Sequence, residues 1–259
     1  MRIFRALLPP IAVLGLGITI WAIVVRVFGV RPLIFPSPLE VWRAFDERRE
    51  DLLASLWSTA KAALIGFALS AVAGISIAIL LSTSRLVQRA FYPYTIFFQT
   101  VPIIAVAPLL VMWFGFGLKP VAVSAFIASV FPVIANTLAG LLSTDPALRD
   151  LFKLYGAGAL SRLWKLRLPW AMPNIITGLR IAAGLAVIGA IVGEFVAGRL
   201  ERGGGLGISV LVGKRLADTP FIFAAVFAAS LLGLAMLASV NLAGWLLLRR
   251  WHASEQNRD

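Results

Sequence analysis

Six stretches of this chain stay apolar for about 20 residues, the length a helix needs to cross the hydrocarbon core of a bilayer. They cover 7–28, 59–81, 94–116, 121–142, 175–195 and 221–248. The connections between them are too short to fold as separate domains. Composition agrees: 60% of the 259 residues are hydrophobic, 14% are charged and the mean hydropathy is +0.91. An average soluble domain carries about 25% charged residues to meet water. A soluble globular fold and a disordered chain are both excluded. The expected fold is an all-α integral membrane protein with about six transmembrane helices. Its parts are an N-terminal span at 1–30, an amphipathic segment at 31–55, a five-helix core at 56–248 and a tail at 249–259, whose sides of the membrane these lengths do not decide.

The net charge of +12 does not mark a nucleic-acid binder, because the basic residues are scattered between apolar runs. Basic loops beside anionic lipid account for them. With no cysteine and one histidine, His252, neither a thiolate nor a His-cluster metal site can be built. No metal and no cofactor are expected. The first segment follows Arg2 and Arg5 as a signal peptide would, but it is too long for an h-region and lacks a small-residue cleavage site, so it is read as a retained span. Orientation does not follow from charge: with both ends inside, 12 basic residues fall inside and 11 outside.

Three connections carry local signals. Ser37-Pro38-Leu39-Glu40 has the form of a capping box with proline at the first helical position. The helix it starts should run through 46–51 and show one apolar face of Leu39, Trp42 and Phe45. It either lies on the membrane surface or leads into the second span. In the connection 143–172, Asp145-Pro146 starts a helix and Gly156 suits the left-handed position that ends one. A second short helix over 161–168 should stop at Pro169 and Pro173. This unit is half apolar and half basic, suited to lipid or to a protein surface. The third connection holds Gly203-Gly204-Gly205-Leu206-Gly207, a turn or mobile loop.

No catalytic motif is present. Gly207 to Lys214-Arg215 misses the phosphate-binding loop by one residue of spacing and by arginine where a hydroxyl belongs. A transporter driven by ATP would need its ATPase on another chain. Polar residues inside the spans are the site candidates. Gln99, Thr100, Pro102 and Pro108 of the third span and Asn136 of the fourth either line a pathway or bond between helices. Arg180 and Glu194 stand 14 residues apart on the fifth span, about 21 Å along a helix, too far to pair. Each either snorkels to an interface or serves as a gate. Glycine, alanine and serine in spans two, four and five allow close helix contact.

Asp150-Leu151-Phe152-Lys153-Leu154-Tyr155-Gly156, with Leu168-Pro169 further on, resembles the E-A-A-x-x-x-G…L-P loop of permease subunits of bacterial ATP-binding-cassette importers. Asp150 replaces the usual Glu, and Leu151 and Phe152 replace the two alanines. Further matches resemble the nitrate, sulfonate and taurine branch. They are Phe35-Pro36-Ser37-Pro38, Thr100-Val101-Pro102, Trp113-Phe114-Gly115, Phe131-Pro132, Thr177-Gly178-Leu179-Arg180, Val192-Gly193-Glu194 and Gly205-Leu206-Gly207. The resemblance implies a type I importer permease fold in the bacterial inner membrane. It implies a cytoplasmic coupling loop carrying Asp150, Leu151, Phe152, Gly156, Leu168 and Pro169, which with six spans makes the tail cytoplasmic and the amphipathic segment extracytoplasmic. It also implies two copies of an ATPase subunit, a second permease copy and a periplasmic or lipid-anchored binding protein. The cargo would be a small anion or a heterocyclic vitamin precursor, with an ion-coupled carrier or channel as the competing reading.

Overall fold

The computed structural model describes residues 2–199 and 203–248. Arg202, His252 and the expected tail lie outside them. Among the described residues eleven helices follow one another: α1 (Arg2–Val27), α2 (Pro38–Glu47), α3 (Arg49–Leu81), α4 (Arg85–Thr100), α5 (Ile103–Phe114), α6 (Leu118–Leu142), α7 (Pro146–Leu154), α8 (Ala159–Arg162), α9 (Leu168–Ala197), α10 (Leu206–Arg215) and α11 (Thr219–Leu248). A π-helical turn, Leu163–Arg167, joins α8 to α9. Five of these elements are long and apolar enough to cross a membrane.

The expected third span is not one helix. Val101, held extended (ψ 120°) by the proline that follows it, separates α4 from α5. With 12 residues, α5 is about 18 Å long and too short to cross alone. The expected third span is therefore two helices on either side of a break, and α4 begins nine residues before the expected boundary, at Arg85.

The core is the seam of α3, α6 and α9. It holds together through small residues, because helices in lipid gain little from hydrophobicity and must approach closely to gain dispersion contacts. A Cβ added at Gly66 of α3 would lie 2.5 Å from the Ala125 Cβ of α6, and one at Gly189 of α9 would lie 2.8 Å from the Ser124 carbonyl oxygen. Ser70 of α3 and Ser129 of α6 share a buried hydrogen bond of 2.6 Å. α5 packs against α9 and α6 and buries Ala107 and Leu110.

At the end of the bundle where α3 starts and α9 ends, α2 ties three helices together. Its capping box forms as expected: Ser37 N–H donates to Glu40 Oε2 at 2.7 Å, and Glu40 N–H to Ser37 Oγ at 3.3 Å. The helix ends at Glu47, before the charged run is complete, and Arg48 turns the chain into α3. The inward face differs from the expected one. Val41 is buried against Leu52, Leu206 and Phe221, with Phe45 beside it, while Leu39 and Trp42 stay exposed. Burial follows the contact with α11, which the spacing of apolar residues along α2 cannot reveal. Trp21 of α1 donates its indole N–H to the Pro36 carbonyl at 3.0 Å and stacks on Phe223. Arg48 lies over the Phe221 ring and 3.6 Å from Asp218.

Candidate functional site

The loop between α6 and α9 is rigid in its own right. Asp145 Oδ1 accepts from Ala147 N–H at 2.7 Å, and Pro146 occupies the first turn of α7, where a missing donor costs nothing. At the other end Gly156 takes φ +68°. Its N–H donates to the Lys153 carbonyl, and Ala157 N–H to the Phe152 carbonyl, both at 2.9 Å. This is a full Schellman closure, and it needs a residue without a Cβ penalty at Gly156.

The second half of the loop departs from expectation. Pro169 and Pro173 do not stop a helix; α8 passes through the π turn into α9, and Pro173 lies inside it. Leu168 N–H reaches back to the Leu163 carbonyl, one residue further than in an α-helix. The wider turn gives room for the Pro169 ring, which would otherwise press on the carbonyl four residues before it. The second half of the loop, from Ala159, and the 30-residue helix α9 are thus one continuous rod, with α7 set off from it by the turn at Gly156.

Arg167 fastens this rod to the rest of the bundle. Its guanidinium donates to the Ser82 carbonyl at 3.3 and 3.2 Å and to the Leu141 carbonyl at 3.3 and 3.2 Å. These carbonyls end α3 and α6, where orphan acceptors and the negative end of each helix dipole favour a cation. Nothing in the local sequence sets Arg167 apart from the other basic residues of the loop.

The surface of this loop is unusual. Leu154 is 86% exposed, Tyr155 83% and Leu160 68%. Leu151 and Trp164 are exposed as well. Asp150 is exposed and pairs with Lys153 at 2.9 Å. Phe152, Leu168 and Pro169 are half-buried.

The membrane residues do not form one cluster. Gln99 and Thr100 end α4 and are exposed, as are Pro102 at the break and Pro108 inside α5. Asn136 lies at the seam of α6 and α9 near Gly178, but its amide donates within its own helix, to Pro132 at 2.9 Å. Arg180 sits against Gly244 of α11 and lines a cavity of about 680 Å³ between α9, α10 and α11 whose other lining is almost wholly apolar.

Glu194 does not snorkel. It is 1% exposed, and its carboxylate closes the N-terminus of α10. Gly207 N–H donates to Oε2 at 2.8 Å, and Thr59 Oγ–H to Oε1 at 2.7 Å. Thr59 in turn accepts from Leu206 N–H at 2.8 Å. Gly205, at φ +113°, passes directly over the carboxyl group, where any Cβ would collide with it. Thr59, Ser70, Ser129 and Arg167 were all missed from sequence. The one available signal was hydroxyl and small residues recurring within apolar spans.

Residues 70–252 match the family described as binding-protein-dependent transport system inner membrane component. The formylaminopyrimidine transport permease protein ThiX of Halalkalibacterium halodurans is 37% identical over 241 residues, covering 93% of this chain and 94% of its own. The riboflavin transport system permease protein RibX of Chloroflexus aurantiacus is 34% identical over 251 residues, with 93% and 91% covered. A solved structure described as an amino acid ABC transporter with histidines superposes with a TM-score of 0.60 at 16% identity, over 80% of this chain and 96% of that one. That likeness concerns the fold, a type I permease. The chain belongs to the inner-membrane permease components of binding-protein-dependent transport systems.

Proposed function

We propose that this chain, paired with a second copy of itself, forms the membrane path of an importer for a small heterocyclic vitamin precursor. The loop 145–169 is its cytoplasmic coupling element. A separate ATPase subunit, two copies per transporter, receives that loop, and a periplasmic or lipid-anchored binding protein delivers the cargo. The observation that carries this reading is the loop itself: a capped helix, α7, closed at Gly156 with Leu154 and Tyr155 exposed, followed by α8, which is continuous through the π turn with α9. Apolar side chains held out rigidly need a protein groove to cover them. Such a rod passes ATPase closure into movement of the bundle as a rigid-body change.

The break between α4 and α5 is the proposed lining of the path. It carries Gln99, Thr100 and Pro102, with Pro108 beyond it inside α5, and irregular backbone at membrane depth is tolerated where it faces a wet cavity or protein. Arg180 serves as a pathway charge, and Glu194 as a structural one. The cargo class rests on the names of ThiX and RibX. A small sulfonate-like anion is the alternative cargo, favoured by the Arg180 guanidinium in its apolar cavity.

The test is purification of the chain from its membrane in mild detergent, identification of what accompanies it, and uptake in liposomes. An ATPase subunit in equal amount and ATP-dependent uptake of an aminopyrimidine are expected. Solute movement by the chain alone, without ATP, would overturn the reading in favour of a carrier or channel. ATP-dependent uptake of taurine but of no heterocycle would replace the cargo.

A further inference from the structure

A cavity of about 800 Å³ opens between the loop and the ends of α3, α4 and α6. Five cationic side chains line it: Arg85, Arg149, Lys153, Arg162 and Arg167; the one carboxylate is Asp150. Two of these cations are already engaged, Arg167 with the helix-end carbonyls and Lys153 with Asp150. Among the described residues no carboxylate pairs with Arg85, Arg149 or Arg162. Arg149 and Arg162 line the cavity together with Arg167, three guanidinium groups around one space. The Nε–H of Arg162 is buried and has no acceptor. A buried guanidinium donor left without an acceptor is costly, and with further cations without a carboxylate partner around the same cavity it calls for an anion.

The other walls narrow the anion's kind. Ile79, Leu142, Leu163 and Leu166 line the same cavity. It lies where the long apolar helices α3 and α6 end, the level at which a spanning helix meets lipid headgroups. A free phosphate would leave the apolar wall uncovered. A phosphodiester carried on a glycerol with acyl chains would cover both parts. We propose that this cavity binds the headgroup of an anionic phospholipid of the inner leaflet, such as phosphatidylglycerol, with Arg149 and Arg162 holding the phosphate. The bound lipid neutralises the guanidinium groups around the cavity and fixes the loop against α3 and α4. The leaflet rests on the cytoplasmic placement of the loop proposed above. Headgroup selectivity measured in detergent does not depend on that placement, so the two can fail separately.

The experiment is native mass spectrometry of the full chain, delipidated in detergent and titrated with palmitoyl-oleoyl phosphatidylglycerol or the matching phosphatidylcholine. One phosphatidylglycerol per chain should be retained, at least about tenfold more tightly than phosphatidylcholine. The double substitution Arg149→Gln/Arg162→Gln should remove that preference. Arg149→Lys/Arg162→Lys, which keeps the charge, should preserve most of it and shows that the site tolerates substitution. Equal binding of the two lipids, or full preference in the Gln pair, overturns the proposal. Displacement of the lipid by an equal concentration of inorganic phosphate overturns it in favour of a free-anion site. A Gln pair that keeps the lipid preference but no longer retains the ATPase subunit overturns it in favour of an acidic protein contact.

Discussion

Removing the Arg167 guanidinium should loosen the transporter where force is transmitted. In Arg167→Gln the Ser82 and Leu141 carbonyls lose their shared donor. The four contacts are 3.2–3.3 Å, at the long end of the useful range, and they serve only two acceptors. They are best counted as two charge-assisted bonds of about 1.5 kcal/mol each, near 3 kcal/mol together. The residue is half-buried, and water can partly replace the lost donor, which brings the expected loss to about 2 kcal/mol. For a chain of this length that lowers Tm by about 4–8 °C. The measurement is thermal unfolding of the detergent-purified complex, followed by uptake and ATP hydrolysis in the same liposomes. ATPase activity should persist while solute carried per ATP falls, because the loop still meets its partner but no longer pulls α3 and α6. Arg167→Lys should fall between, since a point charge reaches one carbonyl well and not two. Unchanged Tm and unchanged coupling in Arg167→Gln would refute the tie.

Three further substitutions test other parts of the argument. Gly156→Val meets no neighbouring atom, so its cost is the left-handed backbone alone, about 1–2 kcal/mol; it should lower coupled uptake with the chain still folded, and normal uptake would count against the loop geometry. Glu194→Ala leaves the Gly207 N–H unsatisfied beside a new void and should cost about 2–4 kcal/mol, whereas Glu194→Gln keeps an acceptor and should cost under about 1 kcal/mol; equal melting temperatures for the two would dismiss the capping role. Gly189→Leu should prevent a monodisperse peak in size exclusion, since the backbone of α6 cannot yield, while Gly184→Ala, facing open space, should elute like the parent; indistinguishable profiles would mean that α6 and α9 are not so close.

What could be read from sequence was set by chemistry within a few residues. The Ser37–Glu40 box, the Asp145 cap and the Gly156 closure each depend on neighbours three or four positions away, and each forms as expected. Five of the six apolar stretches correspond to helices long enough to cross, and the sixth, 94–116, is split between α4 and α5. Pro169 does not stop the helix because proline's cost depends on the turn before it, and a π turn leaves no mark in the residue pattern; Pro173 is carried inside α9 with no such turn before it. Arg167 and Thr59 were not legible at all. Their partners lie 85 and 135 residues away, and only the packed bundle brings them within bonding distance. Glu194 was singled out for its charge, but its role depended on knowing that α10 folds back over it.

The cap on α10 also sets an order of assembly. This ten-residue helix is too short to hold itself together, and its first two free N–H groups are satisfied by side chains of α9 and α3. It can settle only after those two spans are inserted and side by side. Until then the segment after residue 203 presents unsatisfied backbone, the kind of feature by which a membrane protease distinguishes an unfinished subunit from a finished one. A defect at Thr59, far from the loop in sequence, should therefore register in the cell as reduced abundance before it registers as reduced transport.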